Sequence, residues 1–365
     1  IKSGSERIDE YLPLLKNKKV GVVAHKASRL YHDYNKHLVD VLIEKKINVK
    51  LIFAPEHGYY SNLDNGDLLE DDLEKLTGIK IISLYGKTKK PLPKHLKDLD
   101  LILFDIQDVG ARFYTFISTL HYVMEACAEE NIPVIILDRP NPNGHYVDGP
   151  VLNPKYKTFV GMHPVPIVHG MTIGEYAKMI NGEGWLKNSI KCNLKVITNI
   201  NYTHKSKYIL PVRPSPNLPN NQAIYLYPSL CLLEPTSISV GRGTEKQFQI
   251  YGHPDFPRSD FQFKPKPNFG SNNPKWNNLV CNGISLEKIK VPDKVVLSWL
   301  IDAYEKIENK QTFFKDSFER IAGNGILRKQ IISNVSENEI RKSWIIELEK
   351  FKKIRKKYLL YSDFY

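Results

Sequence analysis

The stretch LDLILFDIQDVGARFYTFISTLHYVMEACAEENIPVIILDRP, residues 99–140, is the part of the sequence from which the fold can be predicted. Residues 99–105 and 133–138 contain consecutive apolar positions, as strands covered on both faces do, whereas residues 115–130 have the length and spacing of a helix. A strand, a helix and a second strand in this order are typical of a βαβ unit, in which the two strands run parallel.

The same alternation extends toward the N-terminus of the chain. Residues 19–24, 49–54 and 80–84 are further strand candidates, and residues 37–45 have helical spacing. Strands that alternate with helices predict an α/β fold built on a doubly wound, mostly parallel sheet.

After residue 150 the sequence changes character, because Pro and Gly become more frequent. A helix is predicted over residues 172–181, where Thr172 and Glu175 have the spacing of a capping box. Residues 340–358 repeat apolar side chains at intervals of three and four and are predicted as a closing helix. We place a domain boundary near residue 240.

The composition excludes several classes of protein. The chain has 365 residues, of which 42% are hydrophobic and 25% charged, so it can form a core and is not disordered throughout. Its apolar stretches are far shorter than the about 18 residues that span a bilayer. The net charge of +12 raises the question of a nucleic-acid partner. None is expected, because the sequence has no zinc-finger spacing, RNP-like motif or helix-turn-helix signature.

Polar clusters follow four of the predicted strands. In open parallel sheets, ligands bind outside the carboxyl ends of the strands, so these clusters should meet at one edge. They are His25-Lys-Ala-Ser28, Pro55-Glu56-His57-Gly58, Asp105-Ile-Gln-Asp108-Val-Gly-Ala-Arg112-Phe-Tyr114 and Asp138-Arg139-Pro-Asn141-Pro-Asn-Gly144.

Glu56 is the first candidate for a catalytic group. Pro55 restricts the backbone before it, and Gly58 allows the chain to turn away after it. A carboxyl group beside an apolar wall can keep its proton near neutral pH, as a general acid must. His57 can orient Glu56 or contact a substrate.

Asp105, Asp108 and Asp138 leave three interpretations open. One of them can be a second carboxylate for sugar chemistry, in which two carboxyl groups act as a pair. Together with His25 and His57 they can also be metal ligands. A residue such as Asp105 or Asp138 can instead cap the helix that follows its strand.

Arg112 and Arg139 are candidates for binding an anion, since a guanidinium group grips a carboxylate or phosphate at two points. Arg242, flanked by two Gly residues, is a weaker candidate. The sequence contains neither GxGxxG after the first strand nor GxxxxGK[ST], so a nucleotide cofactor is not expected. Four widely spaced Cys residues and no CxxC pair argue against a zinc site and a disulfide scaffold.

Taken together and in order, the motifs resemble those of the NamZ family of exo-β-N-acetylmuramidases. The resemblance is close over about residues 19–254, weaker to residue 335, and returns in the closing helix. The motifs are FAPEHG (53–58), SLYG (83–86), FDIQDVGARFYT (104–115), LDRPNPNG (137–144), FVGM (159–162), HGMTIGE (169–175), PSPNLP (214–219), YPSLC (227–231) and SVGRGT (239–244).

This resemblance implies hydrolysis of terminal N-acetylmuramic acid from the non-reducing end of peptidoglycan fragments, with no metal or nucleotide. It implies a Rossmann-like catalytic domain, residues 1–240, followed by a smaller auxiliary α+β domain, residues 241–365. Glu56 would be the general acid, with Asp105 and Asp108 as further catalytic candidates and Glu234 as another candidate for the partner carboxylate. The residues expected to bind the muramyl saccharide are His25, His57, Arg112, Tyr114, Asp138, Arg139, Asn141, His169, Glu234 and Arg242.

The resemblance also implies a place in the bacterial cell envelope, either periplasmic or secreted. Because the chain begins at Ile1, we expect a removed export signal or a shortened N-terminus. Three loops depart from the family pattern, at His25, at residues 59–61 and at residues 234–236, and bear on substrate preference. The alternatives to an exo-muramidase are a peptidoglycan-binding protein without activity and, less favoured, a metal-dependent hydrolase.

Overall fold

The computed structural model describes residues 1–32, 35–61 and 71–365. Its strands alternate with helices over the first 150 residues, as the sequence predicts. The strands are β1 (Lys19–Ala24), β2 (Arg29–Leu30), β3 (Lys36–His37), β4 (Asn48–Ala54), β5 (Asp72–Leu73), β6 (Lys80–Ser83), β7 (Leu101–Asp105), β8 (Val134–Leu137), β9 (Leu194–Ile197), β10 (Ile250–His253), β11 (Gln262–Phe263) and β12 (Cys281–Ser285).

The helices have the following bounds. They are α1 (Ile8–Leu15), α2 (Leu38–Glu44), α3 (Pro93–Leu96), α4 (Phe116–Glu129), α5 (Ile173–Gly182), α6 (Asn221–Leu230), α7 (Ser298–Lys306), α8 (Phe318–Ala322), α9 (Leu327–Ile332), α10 (Glu337–Lys342) and α11 (Ile345–Lys356).

The central sheet has, within the described residues, seven strands in the order β5-β6-β4-β1-β7-β8-β9. Every pair is parallel except β5 with β6, which is antiparallel. The order proceeds outward from β1 in both directions, which is the mark of a doubly wound, Rossmann-like sheet. The predicted α/β fold class is therefore confirmed, and the carboxyl ends of the parallel strands share one edge.

Two hydrophobic clusters cover the two faces of this sheet. Along β7, Leu101 and Leu103 belong to the cluster formed with α1 and α2, whereas Ile102 and Phe104 belong to the cluster formed with α4 and α5. This alternation follows from the strand geometry, because successive side chains point to opposite faces. It explains why both predicted strands of residues 99–140 are apolar on consecutive positions.

The helix caps follow the sequence closely. Thr172 accepts a hydrogen bond from the backbone N–H of Glu175 (3.3 Å), and the Glu175 carboxylate accepts one from the N–H of Thr172 (2.9 Å). The predicted capping box at the start of α5 is therefore confirmed. The predicted closing helix is divided, because α10 ends at Lys342 and α11 begins at Ile345.

The C-terminal part contains a small antiparallel sheet, β10-β12-β11, and the helices α7 to α11. These helices share a hydrophobic core with one face of the central sheet, to which Phe318 of α8 and Phe351 of α11 contribute. In the part of the chain that the structure describes, none of the helices is long and apolar enough to cross a bilayer. The four Cys residues are buried free thiols.

Candidate active site

Glu56 lies at the carboxyl edge of the sheet, two residues after β4. The chain turns sharply there, since His57 and Gly58 both adopt left-handed conformations and the N–H of Gly58 bonds to the carbonyl of Pro55 at 3.0 Å. Only 5% of Glu56 is exposed. An inner strand of the sheet and a tight turn therefore fix the position of this carboxyl group.

Two hydroxyl groups hold the Glu56 carboxylate. Thr115, at the N-terminal end of α4, donates to Oε2 at 2.6 Å, so its hydroxyl serves Glu56 and does not cap the helix. Tyr85, which follows the neighbouring strand β6, also donates its hydroxyl to Glu56. Burial and the nearby negative charge raise the pKa of Tyr85 above its ordinary value, so the phenol remains a donor.

A cleft of about 190 Å³ opens above Glu56. Its walls combine aromatic rings with hydroxyl, amide and charged groups, the mixture expected of a sugar site. It is lined by Glu56, His57, Tyr85, Phe113, Tyr114, Thr115, Phe116, Val160, Ser215, Asn217, Leu218, Tyr227, Cys231, Glu234, Arg242, Phe248 and Ile321.

Glu234 is a second carboxylate in the wall of this cleft. It follows the short helical turn Cys231–Leu233, and its Oε2 accepts a hydrogen bond from Nε of Arg242 at 2.9 Å. Burial acts to raise the pKa of Glu234, but the positive charges of Arg242 and Lys275 lower it overall. Glu234 is therefore held as an anion at neutral pH.

Five of the thirteen residues predicted for the site line this cleft. They are Glu56, His57, Tyr114, Glu234 and Arg242. The other eight do not line it, although they follow the expected strands. They are His25, Asp105, Asp108, Arg112, Asp138, Arg139, Asn141 and His169.

Asp105 and Arg139 form a buried ion pair away from the cleft. Nε and Nη2 of Arg139 donate to the two carboxylate oxygens of Asp105 at 2.6 and 2.8 Å. The guanidinium group also bonds to Ser5 and to the carbonyl of Arg29. The structure thus places Arg139 on an internal partner, where we expected a substrate anion, and gives Asp105 a role in joining β7 to the end of β8.

Asp138 is the centre of another internal network. Its carboxylate accepts hydrogen bonds from the hydroxyls of Thr172 (2.8 Å) and Tyr361 (2.5 Å) and from the N–H of Gly174 (2.7 Å). Burial raises the pKa of Asp138 to about 7. We expected Asp138 to bind the substrate. The structure instead shows it accepting hydrogen bonds at the N-terminal end of α5, as a helix-capping residue does.

Arg112 is fully buried and bonded to the backbone. Its two terminal nitrogens donate to the carbonyls of Pro150, Val165, Ile321 and Ala322 at 2.7–3.0 Å. Burial lowers the pKa of Arg112 to about 9. Arg112 therefore connects the loop after β8 to α8 and is turned away from the cleft.

Asp108 and His169 lie side by side in the interior. One oxygen of Asp108 accepts the N–H of Gly110 at 2.7 Å and lies 3.8 Å from Nε2 of His169. The other oxygen and His169 Nε2 have no hydrogen-bond partner within the described residues. Burial raises the pKa of Asp108 to about 7 and lowers that of His169 to about 3, so both groups favour their neutral forms.

The remaining two residues are also internal. His25 accepts the backbone N–H of Gln107 at 3.2 Å and packs its ring edge on Phe116 at 5.0 Å. Asn141 donates to the carbonyl of Met171 at 2.8 Å and accepts the N–H of Asn143 at 2.8 Å. Both side chains shape the loops at the sheet edge from within.

The interpretation of Asp105, Asp108, Asp138, His25 and His57 as metal ligands has no support in the described residues. Among residues 1–32, 35–61 and 71–365, no group of three or more His, Cys, Asp and Glu side chains is placed to hold a metal ion. Asp105 is already bonded through both oxygens to Arg139.

Sequence reasoning missed several residues of the cleft. Tyr85, Ser215, Asn217 and Tyr227 line it, and each lies in one of the motifs that carry the family resemblance. Oδ1 of Asn217 is buried without a partner in the described chain, which leaves it able to bond to a ligand. Ser215, Asn217 and Tyr227 follow no predicted strand. Tyr85 follows the predicted strand of residues 80–84, which is not among the four strands that end in a polar cluster.

Two of the three departures from the family pattern, at His25 and at residues 59–61, are not among the residues that line the cleft. His25 is buried, and Tyr59 donates its hydroxyl to Nδ1 of His37 at 3.0 Å. At the third departure, Pro235 follows directly after Glu234, and its carbonyl accepts the N–H of Lys315 at 3.0 Å. This last departure is the one that is next in sequence to a residue lining the cleft, whereas His25 reaches the lining residue Phe116 through a ring contact.

Comparison with known proteins relates both the N-terminal and the C-terminal part of the chain to one family. Residues 20–222 match the N-terminal family profile of exo-β-N-acetylmuramidase NamZ, and residues 225–361 match the C-terminal one. A peptidoglycan β-N-acetylmuramidase NamZ of Bacillus subtilis (strain 168) is 43% identical over 253 residues, which are 68% of this chain and 60% of the Bacillus protein. The aligned part of the chain thus spans less than two thirds of that relative.

Two solved structures of DUF1343 family proteins from Bacteroides fragilis NCTC 9343 share the fold. One has a TM-score of 0.92 and 44% sequence identity, the other a TM-score of 0.84 and 27% identity. In both comparisons the match covers 99% of each chain. On its sequence profiles, its identity to the Bacillus relative and its fold, this chain belongs to the NamZ family of exo-β-N-acetylmuramidases.

Proposed function

We propose that the protein is an exo-acting glycoside hydrolase, a β-N-acetylmuramidase that releases terminal N-acetylmuramic acid from the non-reducing end of peptidoglycan fragments. The observation that carries this proposal is that Glu56 and Glu234 line one cleft. Two carboxyl groups across a sugar are the usual machinery of glycoside hydrolysis. Membership of the NamZ family and the 43% identity to the Bacillus muramidase support the choice of substrate.

Glu56 acts in this proposal as the general acid that protonates the leaving oxygen. The hydroxyls of Thr115 and Tyr85 orient its carboxyl group. A tight turn after an inner strand keeps it from moving, and general acids depend on such positioning.

Glu234 is the partner carboxylate. Of the four candidates that the sequence leaves open (Asp105, Asp108, Asp138 and Glu234), it alone lines the cleft. Arg242 and Lys275 keep it ionised, which suits a group that stabilises a positively charged transition state or activates a nucleophile.

The test compares Glu56→Gln with wild type on a chromogenic N-acetylmuramide. We expect release of free N-acetylmuramic acid to fall by at least about a hundredfold, because the general acid is lost. Glutamine can still accept the Thr115 hydroxyl, so circular dichroism should show an unchanged fold. Glu305→Gln, at an exposed position of α7, controls for the loss of one negative charge.

The result that would overturn the proposal is the absence of turnover by folded wild-type protein across several muramides. Saturable binding of N-acetylmuramic acid without turnover would then select the alternative, a peptidoglycan-binding protein. Equal activity of the Glu56→Gln and wild-type proteins would leave hydrolysis in place but remove Glu56 as its acid.

We also propose that the protein acts in the bacterial cell envelope, periplasmic or secreted, in cell-wall turnover. The support is the chemistry of the substrate, since peptidoglycan lies outside the cytoplasmic membrane. Fractionation of cells that produce the full-length protein tests this, and recovery only with cytoplasmic marker enzymes would contradict it.

A further inference from the structure

A second pocket adjoins the cleft at the pair formed by Glu234 and Arg242. It has a volume of about 320 Å³, and these two residues line both cavities. Its other lining residues come from the segments after β11 and α7 and from the loop after Thr236. They are Ser239, Val240, Ser271, Asn273, Pro274, Lys275 and Lys315.

The charges of this second pocket are unbalanced. Arg242, Lys275 and Lys315 bring three positive charges, and Glu234 is the one carboxylate among the lining residues that the structure describes. Arg242 binds Glu234 through Nε, and no other described residue accepts a hydrogen bond from its guanidinium group. The terminal nitrogens of Arg242 therefore remain available to an anion.

Lys275 lines the pocket and supplies a positive charge at neutral pH, although burial lowers its pKa to about 8. Its ammonium group donates to the carbonyls of Glu234 (2.7 Å), Ile238 (2.8 Å) and Leu233 (3.5 Å), which uses its three hydrogens and holds it in place. Lys315 is exposed at the rim. A half-buried cation with a second, exposed one at the rim forms a field that favours an anion inside the pocket.

We propose that this second pocket is a carboxylate subsite, which receives the lactyl carboxylate of the muramic acid bound in the cleft and so selects muramic acid over N-acetylglucosamine. The inference rests on the proposed function, because it takes the cleft as the site of the terminal sugar. The two sugars differ by the lactyl ether on C3, which alone carries a negative charge. A pocket with excess positive charge beside the sugar site distinguishes them by that charge.

The same geometry explains the ion pair between the two cavities. Glu234 faces the reacting sugar from the cleft, while Arg242 reaches the carboxylate from the second pocket. Binding of the substrate carboxylate balances part of the positive charge that otherwise acts on Glu234 alone.

Charge reversal at the rim tests the proposal without disturbing the interior. Lys315→Glu should reduce kcat/KM for a chromogenic N-acetylmuramide about tenfold, mostly through KM, and leave any turnover of the matching N-acetylglucosaminide unchanged. Lys315→Arg keeps the charge and should keep kcat/KM. Lys353→Glu changes the net charge equally at an exposed position of α11 that lines neither cavity.

A loss shared equally by the muramide and the glucosaminide would overturn the subsite, and so would no change for either. The subsite can also be tested apart from catalysis, by calorimetric titration of the Glu56→Gln protein with free N-acetylmuramic acid and with N-acetylglucosamine. Tighter binding of N-acetylmuramic acid than of N-acetylglucosamine supports the subsite if the difference disappears in the Lys315→Glu, Glu56→Gln double variant. This result supports it even if wild type hydrolyses neither sugar. Equal binding of the two sugars overturns it even if hydrolysis is found.

Discussion

The hydroxyl of Thr115 is a positioning group for the Glu56 carboxylate, to which it donates at 2.6 Å. We expect Thr115→Val, which keeps the shape but removes the donor, to lower kcat on a muramide about tenfold with little change in KM. Thr115→Ser should restore kcat, because it restores the hydroxyl. A Thr115→Val protein with the kcat of wild type would contradict this role.

Asp108 should make the stability of the protein depend on pH. Burial raises its pKa to about 7 in the fold, against an ordinary value of 3.8. Between these values the folded state keeps a proton that the unfolded state has lost. Each pH unit gained therefore lowers the free energy of unfolding by about 1.4 kcal/mol from this group.

Asp108→Asn cannot ionise, and its amide oxygen can still accept the N–H of Gly110. Urea unfolding should show the variant and wild type nearly equal near pH 4, and the variant increasingly the more stable as the pH rises to 8. The exposed Asp316, changed to Asn, controls for the lost charge. Parallel pH curves for wild type and Asp108→Asn would show that Asp108 does not titrate in this range.

The position of Glu56 in the cleft could be predicted from the sequence, whereas the inward direction of Arg139 could not. Both follow a strand of the same sheet, and the sequence pattern treats them alike. The backbone turn that places Glu56 lies in the adjacent residues Pro55 to Gly58, although its partner Thr115 is 59 residues away. Arg139 is turned inward by Ser5 and Asp105, which lie 134 and 34 residues away in sequence. Partners so far apart in sequence leave no local pattern. The position of a residue after a strand therefore predicts that it lies at the edge of the sheet, but does not predict whether its side chain points into the cleft or into the interior.

Helix α8 ends against the guanidinium group of Arg112. Its last turn is closed by Gly323, which has φ +81° and an N–H bonded to the carbonyl of Glu319 at 2.8 Å. A Cβ at Gly323 would lie 2.5 Å from Nη2 of Arg112. Because four carbonyls hold Arg112, the clash cannot be relieved by a small movement.

We therefore expect Gly323→Ala to cost more stability than the left-handed backbone alone requires. Gly78 provides the matched control, since it has φ +67° and nothing within 4 Å of the position that a Cβ would take. Gly78→Ala should lower the free energy of unfolding by about 1 kcal/mol, and Gly323→Ala by at least about 1 kcal/mol more. Equal losses in urea unfolding would mean that Arg112 yields to the new methyl group.

The helices and strands were predictable where the hydrophobic pattern is regular. Helix α4, in the middle of residues 99–140, lies within one residue of its predicted ends at each side. Helix α6 was not predicted, because Pro228 interrupts its sequence, and β9 was not, because it is a partly exposed edge strand. The division between α10 and α11 at Ser343 and Trp344 does not interrupt the apolar spacing. The spacing therefore predicts one continuous helix.

Across the whole molecule, the C-terminal segment after α11 is bonded back to the central sheet. The hydroxyl of Tyr361 donates to Asp138 at 2.5 Å, and the N–H of Leu360 donates to Glu175 at 2.8 Å. Arg355 binds Asp363 through both terminal nitrogens (2.7 and 2.8 Å) and the carbonyl of Gly170. The end of the chain thus completes the buried network at the carboxyl end of β8.

Tyr361→Phe should lower the free energy of unfolding by about 1–3 kcal/mol, because it leaves a buried oxygen of Asp138 short of a donor. Tyr358→Phe is the matched control, since its hydroxyl donates to Glu183 at 2.6 Å nearer the surface, and it should cost less than about 1 kcal/mol. Urea unfolding measures both. Equal costs for the two variants would show that the contact with Asp138 adds nothing by being buried.

The bond between Asp138 and Tyr361 joins residues 223 positions apart in the sequence. A ribosome makes the chain from its N-terminus, so the strands and helices around Asp138 emerge long before their last partner. Until Tyr361 has been made, the buried carboxyl group of Asp138 therefore lacks one of its hydrogen-bond donors. The order in which the chain is made and the order in which this network is completed therefore differ, because Asp138 gains its last partner only after the segment with Tyr361 has emerged.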